Sequence, residues 1–319
     1  MYKFPRITFD EAAMKLTRIY ENPLLKDFHL SPLYSEKLQA VYGPLNFPEL
    51  PLARPYLYGS FVKSIDGCIT FPDAPEGPLV AQKNSFDPVG GLTDFWMLNV
   101  LRAGCDGIIF GAAGLNKAET TATATETMFG VDLEGGGHIY DLDLENDRLK
   151  MNLPQVPTGI IVSLDCSEVP FTHSVLKNNP ATPVILTTSP AGLALVQERC
   201  MGKYYVITED TEDISGEGMP VIITGKGSFP DAKKTMLILK KLGMHRILVE
   251  TPGYCHHLLH EGLLDELFLN TSGLYIGGNG LSIGGKGKAC SSDEHPHAAM
   301  LSIHTHSPHF FYYRYQMQY

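Results

Sequence analysis

The sequence predicts a three-layer α/β fold, with a mostly parallel mixed sheet, helices on both faces and a C-terminal antiparallel hairpin. Three observations carry that expectation. From Tyr56 onward, short apolar runs alternate with amphipathic stretches of helical length, the pattern that builds a sheet covered by helices. Runs such as 106–110, which leads into Gly111, are apolar without alternation, as a strand buried on both faces must be. The last quarter differs, with strand-like runs over 266–272, 298–306 and 309–318, the last two separated by Ser307-Pro308.

Taken in order, residues 1–55 read as an N-terminal arm or lid ahead of one domain over 56–319. Thr8-Phe9-Asp10-Glu11 fits a capping box, predicting a helix through about Tyr20 that Asn22-Pro23 stops. Pro44, Pro48, Pro51 and Pro55 then make an extended connector, because proline cannot continue a helix. Strands are expected over 56–63, 106–110, 158–164, 183–188, 204–208, 220–223 and 246–250, with helices over 94–103, 190–199 and 232–242. The stretch 116–153, with its Thr-rich run and Gly135-Gly136-Gly137, reads as a long insertion or irregular loop, a kind of segment that is usually functional.

Composition narrows the function. A net charge of −10 on 319 residues argues against a nucleic-acid surface, which needs clustered Lys and Arg. The N-terminus has no apolar stretch of signal-peptide length, and no apolar run nears the length of a membrane span. A cytoplasmic protein without membrane contact is expected. Six cysteines without a Cys-x-x-Cys pair fit reduced, buried thiols. His295, His297, His304, His306 and His309 crowd the C-terminus but lack metal-motif spacing, so no metal is expected there. His256 and His257 read as packing or solvent residues, one of which could reach a cofactor phosphate.

Three constellations carry chemistry. Arg54-Pro55-Tyr56 through Ser64-Ile65-Asp66-Gly67 ends a strand in a hydroxyl, a carboxylate and a turn glycine. Asp94-Phe95-Trp96-Met97-Leu98-Asn99-Val100-Leu101-Arg102-Ala103, then Cys105-Asp106-Gly107-Ile108-Ile109-Phe110-Gly111-Ala112-Ala113-Gly114, runs a helix into a buried strand that opens into small residues. Ligands of open α/β sheets bind beyond such carboxyl ends. Val249-Glu250-Thr251-Pro252-Gly253, followed by Gly262-Leu263-Leu264-Asp265-Glu266-Leu267, joins a strand to a helix N-terminus suited to a phosphate.

In this order the three motifs resemble the pyrimidine reductase domain of riboflavin biosynthesis, from about Arg54 to Tyr319. The resemblance implies a dihydrofolate-reductase-like fold and transfer of a hydride from NADPH to open the ribosyl ring of an aminopyrimidine phosphate. It implies cofactor contacts at Gly111, Ala112 and Gly114 on the nicotinamide side, at Gly253 and Tyr254 near the pyrophosphate, and at Thr187 and Thr188 near the adenosine phosphate. Ser64, Asp66 and Glu250 would face the small-molecule substrate, with Asp66 and Glu250 as the catalytic pair. It also suggests a homodimer, for which the aromatic C-terminal strands could supply an interface.

The chain departs from the family pattern at Cys68, Gly114 and Thr251-Pro252-Gly253. It also lacks the Pro…Leu-x-x-Arg segment after Gly114 that helps hold the substrate phosphate. The alternatives are therefore reduction of a pterin-like or other heterocycle, or NADPH binding without turnover. No His-x-Glu…Pro-Cys-x-x-Cys occurs, so reduction without deamination is expected.

Overall fold

In a computed structural model of the chain, residues 6–75, 77–112, 115, 138–176, 183–285 and 287–319 are described. The lead segment supplies α1 (Glu11–Met14), β1 (Thr17–Glu21) and α2 (Glu36–Val41). Next come β2 (Tyr56–Lys63), α3 (Leu79–Gln82), α4 (Pro88–Ala103), β3 (Gly107–Gly111) and α5 (Leu142–Lys150). The alternating part continues through β4 (Thr158–Val162), β5 (Val184–Thr188), α6 (Pro190–Arg199), β6 (Tyr204–Ile207) and β7 (Met219–Ile223). It ends with α7 (Ala232–Lys241), β8 (Arg246–Val249) and α8 (Pro252–His260). Then β9 (Glu266–Ser272), β10 (His297–Ser307) and β11 (Phe310–Gln318) close the chain. None of the described helices is long and apolar enough to cross a membrane.

The described strands form one sheet in the order β1-β10-β11-β9-β2-β8-β3-β4-β5-β7-β6. Every neighbouring pair from β9 to β6 is parallel, and β11, β10 and β1 extend the sheet antiparallel. Period-2 alternation sorts the strand residues onto two faces. Leu57, Ile109, Ile160, Ile185, Ile222 and Val249 point to the layer of α7 and α8. Tyr58, Ile108 and Leu248 face α4, while Ile161, Leu186 and Val221 face α6. This is the mixed α/β sheet, covered on both sides and closed by a hairpin, that the sequence predicts.

Three expectations change. The helix over residues 8–20 is a single turn, Glu11–Met14, and its cap is Asp10, which accepts from the amides of Ala12 and Ala13. Lys15 leaves the helical region, and Thr17–Glu21 pairs with β10, placing Arg18 opposite His304. The β-branched and aromatic residues of this run suit an edge strand better than a helix, and the open edge of β10 satisfies the backbone. Helix α4 begins earlier than expected, where Asp87 caps the Gly90 amide and Pro88 takes the first position. Within the expected irregular stretch, 142–150 form α5, capped by Asp141; residues 116–137 lie outside the described residues.

The lead segment shares the core of the sheet. Phe9, Met14, Leu38, Val41 and Phe47 pack in one cluster with Tyr56, Tyr58, Trp96 and Phe310. Polar contacts fix its place. Arg314 of β11 forms a buried ion pair with Glu266 of β9 at 2.7 Å and donates to the Asn46 carbonyl at 2.8 Å, its guanidinium lying over Phe47. Tyr56 donates its hydroxyl to the same Glu266.

Candidate functional site

The carboxyl ends of β2, β8, β3 and β5 carry the residues that the sequence singles out. At the end of β2, Gly67 takes φ +89°, a conformation that only glycine adopts at little cost. That turn lets the Ser64 hydroxyl donate to Asp66 and accept from the Cys68 amide at 2.9 Å. The Asp66 carboxylate reaches further, accepting from the Gly277 amide at 2.6 Å and from Ile276 at 3.2 Å. The Ser64 hydroxyl, then the amides of Gly277 and Ile276, lower its pKa to about 2. Asp66 is thus a permanent anion that staples the β2 turn to the loop after β9.

Glu250, directly after β8, donates its amide to the Ile109 carbonyl at 2.9 Å. Its carboxylate is gripped by both arms of the Arg102 guanidinium, at 2.7 and 2.8 Å, and Arg102 also donates to the His138 carbonyl. The pair is largely buried, with side-chain exposures of 7% and 16%. A fork of this kind is the strong form of a carboxylate ion pair. Arg102 lies inside the second motif, yet only the fold shows that it clamps Glu250.

Gly111 ends β3 with its Cα facing Thr251, so that an added methyl would stand 3.4 Å from the Thr251 hydroxyl. Ala112 is buried; Gly114 lies outside the described residues. Beyond Thr251, Pro252 opens α8, and the Thr251 side chain makes no capping hydrogen bond. Gly253 is exposed with open space where a side chain would stand, and Tyr254 beside it is half-buried. The structure therefore brings Gly111, Gly253, Tyr254 and Glu250 to one end of β3 and β8. Thr187 and Thr188 end β5, three strands away, and both are buried. The Thr188 hydroxyl donates to the Leu164 carbonyl at 3.1 Å.

Asp94 opens the second motif, where its place in the sequence assigns it no role. Asp94 of α4 accepts from the Asn270 amide of β9 at 2.7 Å, and burial pushes its pKa up to about 7. Asn270 stands opposite Val62 near the end of β2, two residues before Ser64. Beside it is a small cavity of about 10 Å³ lined by Ser60, Met97, Leu101, Asn270, Tyr312 and Tyr313, room for about one water. The signal was present: Asp94, Met97 and Leu101 share one helical stripe, so an acid lies on an otherwise core-facing face.

A family model described as the RibD C-terminal domain matches residues 55–305. A pyrimidine reductase-like protein from Corynebacterium diphtheriae has a similar fold, with a TM-score of 0.57 at 19% identity over 88% of this chain and 98% of that one. RibD of Acinetobacter baumannii gives 0.49 at 15% identity over 84% of this chain and 59% of its own. The riboflavin biosynthesis reductase Rib7 of Saccharomyces cerevisiae gives 0.42 at 12% identity over 85% of this chain and 93% of its own. No curated protein matches the chain. The family match spans most of the chain and takes in the three motifs from Pro55 onward, so the chain belongs to the RibD C-terminal domain family, the pyrimidine reductases of riboflavin biosynthesis.

Proposed function

We propose that the protein is a cytoplasmic, NADPH-dependent reductase of an aminopyrimidine ribosyl phosphate or a related heterocycle. The observation that carries the cofactor reading is the start of α8. An uncapped helix N-terminus with an open glycine follows β8 directly, beside the small residues that end β3. Free first-turn amides and the helix dipole suit a pyrophosphate, and Gly253 and Tyr254 would hold it. Gly111, Ala112 and Gly114 would line the nicotinamide side, and Thr187 and Thr188 the adenosine side. Six free cysteines accord with a reducing compartment.

A bound NADPH supplies the hydride; the chain's own residues orient the acceptor and manage one proton. Asp66, oriented by the buried Ser64 hydroxyl, forms a fixed polar edge at the end of β2, and Glu250, held by Arg102, forms another across β8. Asp94 can carry a proton near neutral pH, which makes it the candidate acid for a ring oxygen that leaves carbon on reduction.

A second reading, cofactor binding without turnover, is favoured by one fact: the carboxylates of both Asp66 and Glu250 already have partners within the chain. Titration of the protein with NADPH and NADH, followed by nicotinamide fluorescence, tests what both readings share. Micromolar binding with preference for NADPH is expected. Failure to bind either nucleotide, in protein shown to be folded, overturns both. Turnover of an aminopyrimidine ribosyl phosphate then separates the first reading from the second.

A further inference from the structure

At the opposite end of α8 from the proposed cofactor site, two imidazoles and one carbonyl converge, with a thiol beside one of the imidazoles. His256 and His260 are four residues apart on the helix, and their Nε2 atoms stand 3.1 Å from each other. Both point at the Lys288 carbonyl oxygen, at 2.9 Å and 2.7 Å. The Cys290 sulfur lies 3.6 Å from His260 Nε2. Each of these atoms offers a lone pair, and at most a proton or two can sit among them. A cation among the two imidazoles and the carbonyl satisfies those three at once, and the thiol is the ligand it would draw in.

The spacing matches a particular class of ion. With zinc–nitrogen bonds of about 2.0 Å and zinc–sulfur bonds of about 2.3 Å, tetrahedral ligands lie about 3.3 Å apart for two nitrogens and about 3.5 Å for nitrogen and sulfur. Histidines at i and i+4 on one helix face are a familiar chelating pair. Among the described residues no three His, Cys, Asp or Glu side chains are already gathered into a metal-binding group. Two imidazoles and a carbonyl converge here, with Cys290 against one of them, so an ion has only the thiol left to draw in.

Further features of the surroundings point the same way. The loop backbone comes so close that a Cβ at Gly287 would lie 2.7 Å from His256 Nε2; glycine is needed for the loop to reach the imidazole. The site is at the C-terminal end of α8, where the helix dipole favours positive charge. It borders an open cavity of about 660 Å³ whose walls include Glu261 and Glu294 as well as Lys288.

We infer that His256, His260, Cys290 and the Lys288 carbonyl form a site for a borderline-soft divalent transition-metal ion such as zinc. Binding releases the Cys290 thiol proton to solvent and places the thiolate on the metal, with no change of oxidation state. The ion clamps the loop over 287–290 onto the last turn of α8. Asp66 holds the same connection near its start, at Ile276 and Gly277.

The test is titration of the chelator-treated, reduced full-length protein with Co2+ and then Zn2+. Expected are saturation at about one equivalent, intense visible bands of tetrahedral cobalt and a thiolate charge-transfer band, all bleached by Zn2+. His260→Ala should weaken binding about 100-fold, and Cys290→Ser should abolish the charge-transfer band. Absence of saturable uptake overturns the site. So does equal uptake by a His256→Ala/His260→Ala variant that unfolds at the wild-type temperature, or survival of the charge-transfer band in Cys290→Ser.

Discussion

Asp94 and Asp66 show how differently two aspartates behave within one fold. Burial beside Asn270 raises the Asp94 pKa to about 7, so the folded state favours its protonated form over the unfolded chain. A raised pKa contributes stability that is fully present below the unfolded value, near 3.9, and is lost as pH rises through about 7. Asp94→Asn should therefore gain stability over wild type at pH 8, by up to about 4 kcal/mol, and little at pH 4. Denaturant melts at the two pH values check it, and an equal effect at both would refute the assignment. If Asp94 is the acid, the variant should also lose turnover while retaining NADPH affinity. Asp66 is the reverse case, an anion stabilised by a hydroxyl and two amides. Asp66→Asn should lower turnover far more than NADPH binding; equal loss of both would make it a loop staple alone. The Ser-Ile-Asp-Gly motif marks Asp66 in the sequence, whereas Asp94 owes its raised pKa to burial, which its hydrogen bond from Asn270, 176 positions away, opposes. No local spacing announces that pairing.

Elements are more legible than side-chain partners, because hydrophobic period is a local property and pairing is not. The β3, β5 and β8 strands and helix α6 lie within a residue or two of where apolar runs and caps place them. The short lead-segment helix fails for a nonlocal reason: the open β10 edge recruits residues 17–21 into the sheet. The contact that matters most between elements is equally nonlocal. Arg102 in the last turn of α4 clamps Glu250 after β8, 148 positions on, and so ties the helix to the floor of the proposed cofactor cleft. Removing one partner of a largely buried pair leaves an uncompensated charge, so Arg102→Ala should cost about 3–5 kcal/mol. Arg102→Lys keeps the charge but loses the fork and should cost less. Urea melts of both variants check the order. If Arg102→Ala is within about 0.5 kcal/mol of wild type, the pair is not a structural clamp.

At the scale of the molecule, the antiparallel extension creates a surface that a single chain leaves half covered. Helix α4 packs on the face of β11 that carries Phe310 and Tyr312. On the opposite face, Tyr20, Ile303 and Tyr313 register side by side across β1, β10 and β11, and Phe311, Tyr313 and Tyr315 stack along the strand. Tyr20 is 41% exposed, and Ile303 and Tyr313 are half-buried. A continuous aromatic row on a sheet face usually marks an association site. A two-fold axis through it would pair the row with itself, as a homodimer requires. In such a dimer β1 would widen the row by one strand. Light scattering at micromolar concentration should give twice the chain mass. Tyr313→Glu should give the single-chain mass, because a charge at the centre of an apolar interface is left unpaired. Its unfolding temperature, measured where wild type is diluted to monomer, should stay near that of wild type, since Tyr313 is only partly buried in the isolated chain. A wild-type protein that is monomeric at 100 micromolar, taken as roughly the upper range of weak association, would refute this face as the dimer contact.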